Sequence, residues 1–192
     1  MRHPAPAANT GAGRPGRYPA LAPHAGSGYV PAVMPWQVVY LRPRLEKKTA
    51  EACLRHRLPY YLPLRTRTRV YQRRKVTTEL PLFPGYLFVN VDEAGKLALQ
   101  KTNHVLRFLV PARPWRLLRQ LVQVRRALRM DPALTAVKPL AVGRRVRILA
   151  GPFQGMEGMV ARLSSTMRVV LTVEMVGQGV AVQAERSQVE AL

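Results

Sequence analysis

The feature that most constrains the fold is a run of alternating apolar residues, interrupted by glycines, near the C-terminus. Over residues 142–160 it reads V-G-x-x-V-x-I-x-x-G-P-F-x-G-x-x-G-x-V, and two further Val-rich segments follow at 168–175 and 180–184. Short strands separated by bends that glycine permits predict a small β-barrel over residues 142–192. The positions that define the motif are Gly143, Val146, Ile148, Gly151, Pro152, Phe153, Gly155, Gly158 and Val160.

Residues 34–130 show a different pattern, in which strand-like and helix-like segments alternate. The predicted strands are 36–42, 60–64, 82–91 and 105–110, and the predicted helices are 44–58, 94–101 and 115–130. This order predicts an α+β fold, namely an α/β sandwich with helices packed on a mainly antiparallel sheet. Residues 131–141, DPALTAVKPLA, contain two prolines without a clear period and are predicted to be a linker.

The first 33 residues contain 6 Pro, 8 Ala and 5 Gly. Such a segment cannot bury enough apolar surface to offset its ordering entropy, and residues 1–33 are therefore predicted to be disordered. Met34-Pro35-Trp36 is a natural beginning for the folded part.

The charge of the chain indicates a polyanionic partner. There are 31 Lys and Arg against 10 Asp and Glu, a formal net charge of +21. Residues 34–138 carry 22 basic and 6 acidic side chains, whereas residues 139–192 carry only 6 and 4. A balance of this kind favours nucleic acid, or something bound to it, as the partner of the first part.

Several classes of protein are excluded. Cys53 is the only cysteine, which excludes an internal disulfide framework and a Cys-based zinc site and predicts a cytoplasmic protein. No apolar run is long enough for a membrane helix, and no secretory signal is present. The four histidines have no metal-ligand spacing, and no nucleophile, phosphate-loop or metalloprotease motif occurs. We therefore expect no enzyme, no metal and no cofactor.

Two basic clusters are candidates for nucleic-acid binding. The first lies within residues 65–75, where alternating Arg and Thr predict a hairpin arm with its guanidinium groups on one face. Its members are Arg65, Arg67, Arg69, Arg73, Arg74 and Lys75. The second follows the first strand and its helix and comprises Arg42, Arg44, Lys47, Lys48, Arg55, His56 and Arg57. For both, the alternative is a solvated surface that only aids solubility.

Aromatic residues form the third cluster: Tyr40, Phe83, Tyr86 and Phe88. Aromatic side chains on a sheet face usually belong to the core. They would form a protein-binding patch only if the helices left part of that face open.

The chain resembles the NusG family. The motif at 142–160 is similar to a KOW motif, and the preceding part is similar to the N-terminal (NGN) domain of that family. The matching residues are Trp36 and Tyr40, the pattern P-R-x-E-K at 43–47, Pro63, the string PLFPGYLFV at 81–89, and Val105-x-x-Phe108. They follow the family order over residues 34–192.

The resemblance implies a bacterial transcription elongation and antitermination factor. Its NGN domain would occupy residues 34–130 and bind the β′ clamp helices of RNA polymerase through an aromatic patch that maps onto Tyr40, Phe83, Pro84, Tyr86 and Phe88. Contacts to non-template DNA near the upstream fork map onto Arg42, Arg55, His56, Thr102 and Asn103. The KOW domain, residues 142–192, would recruit a second partner, such as Rho or a small-subunit ribosomal protein. We expect a monomer.

Two departures from housekeeping NusG resemble specialised paralogs of the RfaH kind, which act on selected operons. Asn103-His104 stands where Pro-Gly is usual, and the loop of the motif reads GPFQGMEG. The branched residues of the C-terminal part favour a constitutive barrel rather than a helical state. The alternative is a KOW-containing RNA-binding or ribosome-associated protein, which the net charge alone would favour.

Overall fold

The computed structural model describes residues 35–138, 143–162 and 166–192. Residues 1–33, predicted to be disordered, lie outside this part, as do residues 139–141 of the predicted linker and Val142 of the motif. The elements of the first part are β1 (Gln37–Leu41), α1 (Glu46–Arg55), β2 (Tyr60–Tyr61), β3 (Leu64–Tyr71), β4 (Arg74–Pro81), β5 (Tyr86–Val89), α2 (Glu93–Gln100), β6 (Val105–Leu109) and α3 (Pro114–Met130). Those of the second part are β7 (Ala136–Val137), β8 (Arg145–Ile148), β9 (Glu157–Arg162), β10 (Thr166–Val173), β11 (Gln178–Glu185) and β12 (Val189–Ala191), with two 3-10 turns at Glu174–Val176 and Arg186–Gln188.

Four strands form a central antiparallel sheet in the order β2-β5-β1-β6. Within β1, Val38 pairs with Phe88 of β5 on one side and with Leu109 of β6 on the other. Val38 and Val39 point to opposite faces, and both are fully buried. The central strand is therefore covered on both sides, which confirms the predicted mixed α/β fold.

Helices contribute to the cores on both faces of this sheet. Val39 shares an apolar cluster with Cys53 of α1, whereas Val38 and Phe88 belong to the cluster that contains Leu121 of α3. Burial raises the pKa of the Cys53 thiol to about 12, so this side chain acts as a small apolar core residue rather than as a nucleophile.

Helix α1 begins two residues later than predicted. Arg44 has a φ of 66°, in the left-handed region that an α-helix cannot accommodate, and the helix starts at Glu46. Arg44 of the second basic cluster therefore lies in the turn before the helix and not on the helix itself.

The predicted hairpin arm is present. β3 and β4 pair only with each other, forming a separate two-stranded antiparallel sheet. Its two-residue turn consists of Gln72 and Arg73, whose φ values of 46° and 63° are those that a type I′ turn requires.

The C-terminal part is a six-stranded antiparallel sheet in the order β12-β8-β9-β10-β11-β7. Its apolar face contains buried Val146, Ile148, Leu171 and Val182. The segment predicted to be a linker contributes β7, where Val137 pairs with Gly179 of β11. Two residues are too few to produce a strand signal in the sequence.

One apolar cluster joins the two parts of the molecule. It contains Val38 and Phe88 of the central sheet, Leu121 of α3, and Val169 and Leu171 of β10. Helix α3 also contacts β10 and β11 directly. The helix thus links the central sheet to the C-terminal sheet.

Candidate functional site

The aromatic surface centres on two tyrosines that face each other across β1 and β5. Tyr40 and Tyr86 are register partners, and their ring centroids lie 5.3 Å apart at a tilt of 40°. Tyr40 is 37% exposed, Tyr86 is partly buried, and the neighbouring Pro84 is exposed. These three residues form a small surface that offers ring faces and hydroxyl groups to a partner.

The predicted open patch is wrong at two positions. Phe83 and Phe88 are 1% and 0% exposed, and their rings make an edge-to-face contact at 6.3 Å. Both belong to the cluster that contains the apolar stripe of α3 and the C-terminal sheet, and this cluster buries them. In this conformation the accessible part of the patch consists of Tyr40 and Pro84 with partly buried Tyr86, here called the tyrosine surface.

A buried carboxylate fixes the turn beside the tyrosine surface. Glu46 of α1 is 5% exposed and accepts a 2.6 Å hydrogen bond from the backbone N–H of Gly85. Gly85 has a φ of 82°, and a Cβ atom there would lie 3.4 Å from the ring of Tyr40. Its carbonyl accepts a hydrogen bond from Leu41 at 2.8 Å. Helix α1 therefore holds this turn in place through the Glu46 carboxylate.

The residues matched to non-template DNA contacts lie at one end of α1 and α2. His56 and Thr102 line the same open cavity of about 330 Å³, together with Lys101. Arg42 is exposed just after β1. Its backbone N–H donates a 2.9 Å hydrogen bond to the carbonyl oxygen of His104, the residue that follows exposed Asn103. The structure thus brings His56 and Thr102 to one cavity. It brings Arg42 to the segment Asn103-His104, which follows Thr102 in the chain.

Local hydrogen bonds position this segment. Thr102 Oγ1 donates to the Leu99 carbonyl at 2.6 Å and accepts from the backbone N–H of His104 at 3.3 Å. Asn103 has a φ of 59°, a conformation that asparagine tolerates better than most residues. A second contact ties His104 Nδ1 to Thr49 Oγ1 of α1 at 3.2 Å.

Sequence reasoning missed Lys101, the exposed cation of the cavity. Lys101 lies at the end of α2. Its position next to Thr102 in the sequence was the one indication that it could belong to the same site. Arg44 and Arg55 are exposed but do not line the cavity.

The register of the hairpin arm divides the basic residues between its two faces and its turn. Arg65, Arg67 and Arg69 lie on the face that also carries Arg74, whereas Lys75 lies on the opposite face and Arg73 lies in the turn. All of them are exposed except Arg65, which is partly buried at the base of the arm. Sequence reasoning missed Tyr71. It occupies the next position after Arg69 on the same face of β3.

The glycine motif forms the β8–β9 region of the C-terminal sheet. Val146 and Ile148 are buried, Phe153 and Val160 are partly buried, and Pro152 is exposed in the turn. Gly151 and Gly155 have positive φ values in that turn, and Gly143 precedes β8. Gly158 allows two strands to approach closely, because a Cβ atom there would lie 2.6 Å from the Val170 carbonyl oxygen.

Within the described residues, His, Cys, Asp and Glu side chains do not group into a metal site, and none of the described helices is long and apolar enough to cross a membrane.

Comparison with known proteins gives one family match. Residues 34–128 match the NusG family, described as "Transcription termination factor nusG". Among solved structures, the chain is similar to one from "Domain interaction in Thermotoga maritima NusG", with 22% identity and a TM-score of 0.47 over 82% of this chain and 97% of that chain. It is also similar to the MjSpt4:Spt5 complex in conformation B, with 16% identity and a TM-score of 0.27 over 82% of this chain and 96% of that one. No curated protein matches the chain.

Proposed function

We propose that this chain, which carries a NusG-family domain over residues 34–128, is a non-enzymatic transcription elongation and antitermination factor. Its NGN domain binds the β′ clamp helices of RNA polymerase through the tyrosine surface. The bound factor keeps the polymerase clamp closed and suppresses pausing or termination. In this proposal the protein works in the cytoplasm as a monomer.

One observation supports the polymerase contact most directly. The tyrosine surface is accessible on the β1–β5 strand pair, whose third aromatic residue, Phe88, is buried, and the Glu46 carboxylate fixes its turn. Exposed aromatic residues on a rigid strand pair suit a protein contact, because they bury much area at little entropic cost. Phe83 and Phe88 support this surface from the core in the conformation described here.

The cavity beside Lys101 supports the nucleic-acid contact. His56, Lys101 and Thr102 supply hydrogen-bond donors and a positive charge at an open concave surface. Exposed Asn103 follows Thr102 in the chain, and a backbone hydrogen bond joins exposed Arg42 to His104. These groups suit a phosphate or the edge of an unpaired base in non-template DNA.

The same departures from housekeeping NusG lead us to propose action on selected operons. Asn103 and His104 lie next to the cavity wall, so a change from Pro-Gly at this point alters the groups that face DNA. The C-terminal sheet, as a KOW domain, would recruit a second partner, either Rho or a small-subunit ribosomal protein.

The alternative is a ribosome-associated RNA-binding protein that uses the C-terminal sheet. The charge of this sheet argues against it. Arg145 and Arg147 lie 3.6 and 2.9 Å from the Glu157 carboxylate, which neutralises part of the small basic excess there. Most of the net charge lies instead in residues 34–138, which carry 22 basic and 6 acidic side chains and include the hairpin arm and the cavity.

A pull-down of core RNA polymerase by the full chain tests the proposal. Polymerase that lacks the β′ clamp helices is the control. We expect capture of intact polymerase and its loss with the clamp helices. Capture that does not depend on them, or ribosome copurification without polymerase, would favour the alternative.

A further inference from the structure

The hairpin arm stands away from the rest of the domain. Its hydrogen bonds to other elements in the described part of the chain lie at one level near the base, where Thr66 and Glu79 are register partners. Thr66 N–H donates to the Pro132 carbonyl at 2.7 Å, and Lys47 Nζ donates to the Glu79 carbonyl at 2.8 Å. Residues 67–79 beyond this level are all exposed. The arm is anchored at its base and free along its length.

The register divides the side chains of the arm into two unlike faces, because directly opposite residues in an antiparallel pair share a face. One face carries cationic, aromatic, aliphatic and hydroxyl side chains and no acidic one: Arg65, Arg67, Arg69, Tyr71, Arg74, Val76, Thr78 and Leu80. The only acidic residue of the arm, Glu79, lies on the other face, beside Thr66. A hydrogen bond of 3.2 Å between Thr68 and Thr77 also lies on that other face.

The cations of the first face are available to a ligand. Among the described residues, no carboxylate lies within salt-bridge distance of Arg65, Arg67, Arg69 or Arg74. Arginines at every second position of a strand are about 6.8 Å apart. They form a row of positive charge along the arm that can follow a phosphate backbone.

Tyr71 distinguishes this row from a purely electrostatic contact. Its side chain is 68% exposed at the end of the arm, on the same face as the arginines, and its register partner is Arg74. In duplex DNA the base faces are already stacked on one another, so an exposed aromatic ring finds no free base face to stack on. A single strand offers base faces, and the combination of a cationic groove with an exposed aromatic ring is typical of proteins that bind one.

We propose that the face of the hairpin arm carrying Arg65, Arg67, Arg69, Tyr71 and Arg74 binds single-stranded nucleic acid. The guanidinium groups contact successive phosphates, and the Tyr71 ring stacks on a base at the end of the arm. This rests on the proposed function in one respect, that the domain works beside unpaired nucleic acid in a transcription complex. It adds a second contact, separate from the cavity beside Lys101.

Fluorescence anisotropy with the full chain tests the proposal. The probe is a labelled oligonucleotide of about 15 nucleotides, free or annealed to its complement. We expect Tyr71→Ala to weaken binding of the single strand about 5- to 100-fold and Tyr71→Phe to retain it. Val70→Ala is the matched control, because Val70 is 69% exposed on the other face. We expect Arg67→Ala to reduce the salt slope of log K by about 0.7.

Equal effects of Tyr71→Ala and Val70→Ala, or tighter binding of the duplex than of the single strand, would overturn the proposal. The polymerase pull-down separates this failure from that of the proposed function. Tyr71 lies outside the tyrosine surface, so the Tyr71→Ala variant should capture polymerase as the wild type does. If the oligonucleotide results are negative while capture is normal, only the inference about the arm fails.

Discussion

Arg119 Nη2 on α3 lies 2.6 Å from Glu157 Oε1 on β9, and this ion pair joins the helix to the C-terminal sheet. The Glu157 side chain is only 11% exposed, and it also contacts Arg147 at 2.9 Å. Its backbone N–H donates to Gln123 Oε1 of α3 at 2.6 Å. One residue of the sheet therefore binds the helix through both its side chain and its backbone.

The environment of Glu157 makes the contact dependent on pH. Burial raises the pKa of its carboxyl group, but the hydrogen bond from Arg147 and the charges of Arg119, Arg147 and Arg145 outweigh burial, and the pKa lies below its ordinary value of 4.5. Folding thus favours the carboxylate. Its contribution to stability is present above about pH 4.5 and is lost as the pH falls through the lower pKa of the folded protein.

We predict that Glu157→Gln lowers the free energy of unfolding by about 1.5–3 kcal/mol at pH 7, because charge-assisted hydrogen bonds are lost. The difference from wild type should shrink at pH 3, below the ordinary pKa of 4.5, because the unfolded wild-type chain then takes up a proton that the folded carboxylate resists. Urea unfolding at the two pH values measures it. Glu93→Gln, at a carboxyl group that is 88% exposed, is the control and should change little at either pH. A difference that is equally large at pH 3 would contradict this account of the ion pairs.

Replacing Glu46 should destabilise the turn beside the tyrosine surface. Glu46→Ala leaves the N–H of buried Gly85 without its acceptor, at a cost of about 1–3 kcal/mol in unfolding free energy, whereas Glu46→Gln keeps an oxygen acceptor and should cost less. Glu51→Ala on the exposed side of α1 is the control. Unfolding curves for the three variants measure the difference. The assigned role would be wrong if Glu46→Ala were no more harmful than Glu51→Ala.

Gly158→Ala should strain the C-terminal sheet. The added methyl group would meet the Val170 carbonyl oxygen at 2.6 Å and Val169 Cγ1 at 2.7 Å, so the paired strands must separate. Overpacking of this kind costs about 1–3 kcal/mol. The melting temperature of Gly158→Ala, compared with that of Gln183→Ala at an exposed position on β11, measures this cost. Equal melting temperatures for the two variants would show that the sheet tolerates the methyl group.

Lys101→Ala should weaken nucleic-acid binding through charge. Lys101 lines the cavity with His56 and Thr102, so its removal should lower the salt slope for a single strand by about 0.7. Lys138→Ala, an exposed lysine just after β7, removes the same charge elsewhere. Titrations at several salt concentrations compare the two. An equal fall for both variants would mean that only net charge matters.

The sequence predicted those features that depend on local patterns. The strand-forming run at 36–42 predicted the central strand, the apolar residues at helical spacing in 115–130 predicted the last helix, and the alternation of Arg and Thr predicted the arm. These patterns repeat over several residues, and tertiary contacts reinforce them.

The features that escaped prediction depend on contacts between distant segments. Arg44 has a left-handed backbone that its residue type does not signal, and Phe88 is buried in a cluster that includes a sheet beginning after residue 135. The pairing of Glu157 with Arg119 joins positions 38 residues apart. No local pattern carries such information, so the exposure of the aromatic cluster could not be settled from the sequence.

The most direct test of the central claim is the affinity of the full chain for the isolated β′ clamp-helix coiled coil. We predict that Tyr86→Ala, which removes one ring of the tyrosine surface, weakens binding at least about 30-fold, as expected for an aromatic hot spot. Tyr71→Ala, which removes an exposed ring from the hairpin arm, should leave the affinity unchanged. Folded Tyr86→Ala protein with wild-type affinity would contradict the assignment of the tyrosine surface to the polymerase.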